Sequence, residues 1–155
     1  MHLLISEVLD SFEKAKTKQE KVQILKRHET PVLRGLMRIN FDMGVVMHLP
    51  EGEPPYKKVA DIPLGEQHTK LEAEYRRFYI WLDPKINISK RKKEQLFIEM
   101  LESLHITEAE IIILAKDKKL QKKFKSLKEE IVREAYPNTL PPKSISKNGG
   151  ENAAV

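Results

Sequence analysis

The chain has 155 residues, 40% of them hydrophobic and 33% charged, with a net charge of +5. This suits a single domain with a real core, in a charge-rich globular protein rather than a disordered one. Zero cysteines exclude disulfides, a thiol nucleophile and thiolate zinc sites, and no apolar run reaches the roughly 18 residues of a membrane span. The start lacks a basic flank and soon meets Glu7 and Asp10, which makes it a poor signal peptide, so a cytoplasmic protein is expected.

In chain order, Ile5, Val8, Leu9 and Phe12 stripe one face of a first predicted helix over residues 3–15. Thr17 with Glu20 forms a capping-box pattern before a second, 18–28, carrying Val22 and Leu25. Thr30 ahead of Pro31 starts a third, 31–40, with Leu33, Leu36 and Met37. Residues 41–68 then interrupt the pattern with Pro50, Pro54, Pro55, Pro63, Gly44, Gly52 and Gly65. A connection of that length inside a domain is more often functional or mobile than idle. Strand-like runs are confined to Val45–Leu49 and Val59–Ile62.

Thr69 with Glu72 opens a fourth helix, 70–82, with Leu71, Tyr75, Phe78 and Leu82 on helical steps. Ser89 ahead of Lys90 begins a fifth, 90–104, striped by Leu96, Phe97, Met100, Leu101 and Leu104. Thr107 with Glu110 opens a sixth around Ile111–Leu114, apolar all round and therefore expected to be buried. Beyond it, Leu120, Phe124, Leu127 and Ile131 would suit one long helix from 107 to 136. The favoured alternative is a connector followed by a separate helix from Ser126 to Tyr136, because Ser126 with Glu129 forms another capping box and seven lysines within 116–128 repel one another. The expectation is all-α: a compact bundle of six or seven short helices in one domain, 1–137, with one long Pro/Gly-rich loop and a disordered tail, 138–155.

The loop and second half also carry a family likeness. Ile39–Asp42 (INFD), Leu49–Lys57 (LPEGEPPYK), Asp61–Gly65 (DIPLG), Leu96–His105 (LFIEMLESLH), Glu108–Glu110 (EAE), Lys116–Leu120 (KDKKL) and Val132–Pro137 (VREAYP) occur in characteristic order and spacing. In these elements the chain resembles a family of small uncharacterised proteins of T-even-type tailed bacteriophages, cyanophages included, over most of residues 1–137. The resemblance implies a phage origin and the host cytoplasm as the place of action. It assigns no catalytic or binding residue. Gln121–Lys128 is more lysine-rich than that family's pattern.

Catalytic spacings are missing: there is no phosphate-binding loop, dinucleotide fingerprint, nucleophile elbow or HExxH. His2, His28, His48, His68 and His105 form no pair at helical metal-binding spacing. The pairs Glu72/Glu74, Glu108/Glu110 and Glu129/Glu130 fall at helix starts, where the dipole favours negative charge. Neither catalysis, nor a metal, nor a cofactor is expected.

Residues 1–84 balance 13 basic against 13 acidic side chains, whereas 85–136 hold 13 against 9. A basic half points to an acidic partner or to a solvated face. The candidate nucleic-acid contacts are Lys90, Arg91, Lys92 and Lys93, then Lys116, Lys118, Lys119, Lys122, Lys123 and Lys125, with Lys128 beyond and Phe124 among them. Lysine is a hydrated point charge without bidentate base readout, so such binding should be largely blind to sequence. A second reading is a protein-interaction factor, with a host or phage protein as partner, that modulates or inhibits a host enzyme through the 41–68 loop with Tyr56, Arg76, Arg77, Tyr79 and Trp81, a composition that interfaces favour. Alternatively, Tyr75, Phe78 and Leu82 face the core, with Trp81 at its edge.

Overall fold

The computed structural model describes residues 3–58, 62–63 and 66–142, and among these the chain is all-helical. Nine short α-helices are present: α1 (Ile5–Lys14), α2 (Lys18–Arg27), α3 (Pro31–Phe41), α4 (Leu71–Glu74), α5 (Tyr79–Leu82), α6 (Lys90–Ser103), α7 (Ile106–Lys116), α8 (Leu120–Lys123) and α9 (Glu129–Ala135). A 3-10 turn, Tyr75–Arg77, links α4 to α5. Among the described residues the helix count exceeds the expected six or seven because the helix expected over 70–82 is divided and α8 forms in the expected connector. Val45–Leu49 is not a strand, and most of Val59–Ile62 lies outside the described residues.

α7 is the hub. Its run Ile111–Leu114 is apolar all round and calls for cover on most sides, and α7 packs against α1, α3, α6 and α8. Ile111, Ile112, Ile113 and Ala115 are all buried. α2 packs on α1 and α9, and the buried Tyr136 hydroxyl after α9 donates to the Leu25 carbonyl of α2 at 2.5 Å.

Buried charge is concentrated at helix ends, where free backbone groups wait for a partner. Glu108 of α7, 1% exposed, accepts from the Ile5 and Leu71 N–H groups, both at 2.9 Å, and so caps the first residues of α1 and α4 together. Burial raises its pKa, against the lowering effect of those two hydrogen bonds and of the His105 and Lys70 charges. At the opposite pole of α1, Lys21 Nζ donates to the Phe12, Glu13 and Ala15 carbonyls at 2.9, 3.2 and 2.8 Å. Leu140 is buried, so the packed chain runs past the expected boundary at 137; residues 143–155 of the expected tail lie outside the described residues.

Candidate functional site

The lysine-rich stretch begins where α7 ends. Lys118 adopts a left-handed conformation at φ 61°. The Lys118 N–H then reaches the Ala115 carbonyl at 3.0 Å and the Lys119 N–H the Leu114 carbonyl at 2.8 Å, the two bonds of a Schellman termination. Past this turn, Lys118 Nζ donates to the carbonyls of Ile39 (2.5 Å), Asp42 (2.9 Å) and Val45 (2.7 Å). Burial holds its pKa below the ordinary lysine value, opposed by the Asp42 charge. Lys116 Nζ donates to the Pro50 and Gly52 carbonyls at 2.8 and 3.0 Å and to Asp117 Oδ1 at 2.7 Å. Asp117 Oδ2 accepts the Gly52 N–H at 2.9 Å. Two of the expected nucleic-acid contacts are thereby corrected: Lys116 and Lys118 spend their charge on free carbonyls at the end of α3 and in the loop after it.

The remaining lysines of that stretch reach solvent. Lys119 pairs with Glu51 at 3.2 Å and Lys123 with Glu110 at 3.1 Å, exposed pairs worth less than about 1 kcal/mol and easily exchanged. Lys122 and Lys125 are exposed, with no carboxylate partner among the described residues.

At the start of α6, Ser89 Oγ accepts the Lys92 N–H at 3.1 Å. Lys90, Arg91 and Lys92 are exposed and Lys93 is half-buried, all four without an acidic partner among the described residues. Glu51, which pairs with Lys119, and Glu94, one turn along α6 from Lys90, line the same recess of ≈ 370 Å³ together with Glu53. These three carboxylates share that recess with Lys116.

The aromatic candidates divide. Trp81 is fully buried, and its Nε1–H donates to the Lys93 carbonyl at 2.9 Å, which anchors the first turn of α6. It is the third ring of an edge-on ladder, Tyr75 to Phe78 (5.2 Å), Phe78 to Trp81 (6.1 Å) and Trp81 to Phe97 (5.5 Å). Trp81 is therefore corrected from surface anchor to core residue. Tyr79 is 54% exposed and Arg76 is exposed, while Arg77 pairs with Glu74 at 3.1 Å. Tyr56 is half-buried beside Lys58, whose Nζ lies 5.5 Å from the ring centre.

One cluster escaped the sequence reading. Arg34 and Arg38 of α3 and Arg133 of α9 line a cleft of ≈ 850 Å³ together with Tyr75 and the segment 137–142. Arg34 Nε lies 3.3 Å from Glu29 and Arg133 Nε 2.8 Å from Glu129, while Arg38 has no acidic partner among the described residues. A second recess of ≈ 430 Å³ adjoins, sharing Gly35, Arg38 and Tyr75. A Cβ at Gly35 would sit 2.5 Å from the Tyr75 ring and hydroxyl, so the glycine lets that ring lie against α3. A glycine inside a helix, between two arginines four apart, was the legible signal; the contribution of Arg133 from 95 residues away was not.

These features define a class by structure: an all-α protein of short helices with an unpaired cation row at one helix start and an arginine-lined cleft. No group of three or more His, Asp or Glu side chains is placed to hold a metal among the described residues, and no helix there is long and apolar enough to cross a membrane. The chain belongs to the family of unknown function DUF6433, whose model matches residues 8–122, from α1 through most of α8. No curated protein and no solved structure matches it.

Proposed function

We propose that the protein is a phage-type accessory factor that acts in the host cytoplasm and binds nucleic acid, or nucleic acid held by its processing machinery, through phosphate contacts that do not read sequence. The observation that carries the reading is the row Lys90, Arg91, Lys92 and Lys93. Four cations sit at the positive end of the α6 dipole without a carboxylate to offset them among the described residues. Like charges placed there cost a few tenths of a kcal/mol or more each, and an incoming phosphate reverses the sign of that term. Lys122 and Lys125 add exposed charge, and the resemblance to the phage family supports the setting.

The test is the salt dependence of binding to a generic duplex and a generic single strand. For the triple variant Lys90→Gln, Arg91→Gln, Lys92→Gln, affinity for both should fall to a similar extent. The slope of log affinity against log salt should become shallower by about 0.7–0.9 for each phosphate contact removed. A triple variant that binds with the parental affinity and slope would sink the reading.

A second reading is favoured by one specific observation. Met43, Val46 and Tyr79 are large apolar side chains 77, 47 and 54% exposed, two of them in the loop that the His48 N–H ties to the Trp81 carbonyl at 2.7 Å. A protein partner held there would be nearly indifferent to salt, which separates the two readings.

A further inference from the structure

We propose that the cleft between α3 and α9 is a binding site for a nucleoside phosphate, with the phosphate on Arg38, Arg34 and Arg133 and the base in the recess beyond Tyr75. The proposal does not rest on the lysine row at α6.

Its first support is the donor set. Three guanidinium groups from two elements that meet only in the folded chain line one cavity. Guanidinium offers paired N–H donors at the spacing of phosphate oxygens. Arg38 is exposed and has no acidic partner among the described residues. The Arg34–Glu29 pair is open to solvent, each side chain 45% exposed, and such a pair yields readily to a doubly charged anion. Asp42 also lines the cleft and Glu129 holds Arg133, so the three cations are not all free. Their arrangement favours a polyphosphate or a phosphate dianion over a single carboxylate.

The second support is the shape beyond the arginines. The adjoining recess is lined by Val45, Val46, Leu82 and Pro84, which gives it apolar walls, with His48 at its side. Tyr75 and Arg38 line both chambers, and the Tyr75 hydroxyl has no hydrogen-bond partner among the described residues. At ≈ 850 and ≈ 430 Å³ the chambers are of the size that small ligands occupy. A charged chamber joined to an apolar one across an unpartnered phenol matches a molecule with phosphate at one end and a flat ring at the other. A bare anion would leave the recess unused.

The experiment titrates the full chain with adenosine triphosphate, inorganic triphosphate and adenosine. Alongside run a short oligothymidylate bearing a 5′-phosphate, the same strand with a 5′-hydroxyl, and a phosphoserine peptide. Adenosine triphosphate should bind more tightly than either of its parts. Arg38→Gln and Arg133→Gln should each weaken it about tenfold, the loss of one charge-assisted contact. Val46→Glu should weaken adenosine triphosphate and leave inorganic triphosphate unchanged. The triple variant of the α6 row should bind adenosine triphosphate like the parent. A preference for the 5′-phosphorylated strand over the hydroxyl strand would place the ligand at a strand end as well; binding of the free nucleotide with no such preference would restrict it to free nucleotides.

Arg38 is exposed, so its variant should fold, and it decides alone should Arg133→Gln not fold. Three results would overturn the proposal: adenosine triphosphate binding no tighter than inorganic triphosphate or the phosphopeptide, affinity unaltered by Arg38→Gln, or affinity lost only in the α6 triple variant.

Discussion

Lys118 combines a backbone conformation that suits glycine with a side chain that glycine lacks. Its φ of 61° costs a residue with a Cβ about 1–2 kcal/mol, and three carbonyls around its ammonium offset that cost. Two substitutions separate the contributions. Lys118→Ala keeps the strain and loses the ammonium, and should destabilise by about 2 kcal/mol or more, the value of a charged donor to buried acceptors. Lys118→Gly loses the same ammonium but relaxes the backbone, so it should be more stable than the alanine variant by about 1 kcal/mol, read from urea midpoints. An alanine variant as stable as the glycine one would mean that the turn carries no strain. The same chemistry recurs at Lys21 on the carbonyl end of α1 and, with the sign reversed, at Glu108 on the N–H ends of α1 and α4. Each is a single charge answering several free backbone groups, which is why Lys21 and Glu108 are buried in a protein otherwise rich in surface charge.

The end of α7 and the loop after α3 form one mechanical unit, because Lys116, Asp117 and Lys118 between them hold backbone from Ile39 to Gly52. Lys116 is the most enclosed of the three, its side chain 1% exposed beside Asp117 at 8%. Lys116→Met should therefore leave Asp117 buried and unmatched, at a cost of about 3–5 kcal/mol. It should also release the segment around Pro50, so limited proteolysis would cut near residues 50–58 earlier in the variant than in the parent; equal cleavage rates would exclude the latch. In the sequence these lysines look like an exposed cluster, because a charge run says nothing about which backbone will arrive beside it. Helix starts were legible in part. Thr17, Thr30 and Ser89 cap as expected, each accepting an N–H three residues on. Thr69, Thr107 and Ser126 do not: the Thr69 hydroxyl bonds the nearby Glu74, the Thr107 hydroxyl bonds the distant Ser6 and yields the cap to His105, and the Ser126 N–H is taken by Glu13. The expected helix over 70–82 is divided for a packing reason. A 3-10 turn stacks side chains three apart, and that spacing brings Tyr75, Phe78 and Trp81 into one ladder of rings. Between 107 and 136, the reversal at Lys118 ends α7, and Asn40 Oδ1 starts α8 anew by accepting the Leu120 N–H at 3.0 Å.

Across the folded protein, the formal charge of +5 misstates what a partner would meet. Buried Lys21 and Lys116 and half-buried Lys118 face backbone, several surface lysines face carboxylates, and the cations without a carboxylate among the described residues include the α6 row, Lys122, Lys125 and, in the cleft, Arg38. The lysine row could be read from four consecutive residues. The cleft could not, because it exists only once α9 and the segment after it close over α3. That closing segment gives the final prediction. Leu140 is buried and the Thr139 N–H bonds the Tyr136 carbonyl at 3.1 Å, so the chain is held beyond the proline at 137. Burying one leucine contributes about 1.5–3 kcal/mol, and in a domain of this size each kcal/mol moves the melting temperature by about 2–4 °C. A chain ending at Pro142 should therefore melt within a few degrees of the full-length protein, since the composition of 143–155 offers little to a core. A chain ending at Pro137 should melt lower by about 3–12 °C, the product of those two ranges. If both truncations melted together, Leu140 would contribute nothing to the core and the wall it gives the cleft would be dispensable. If both melted well below the parent, the residues after Pro142 would have to pack as well.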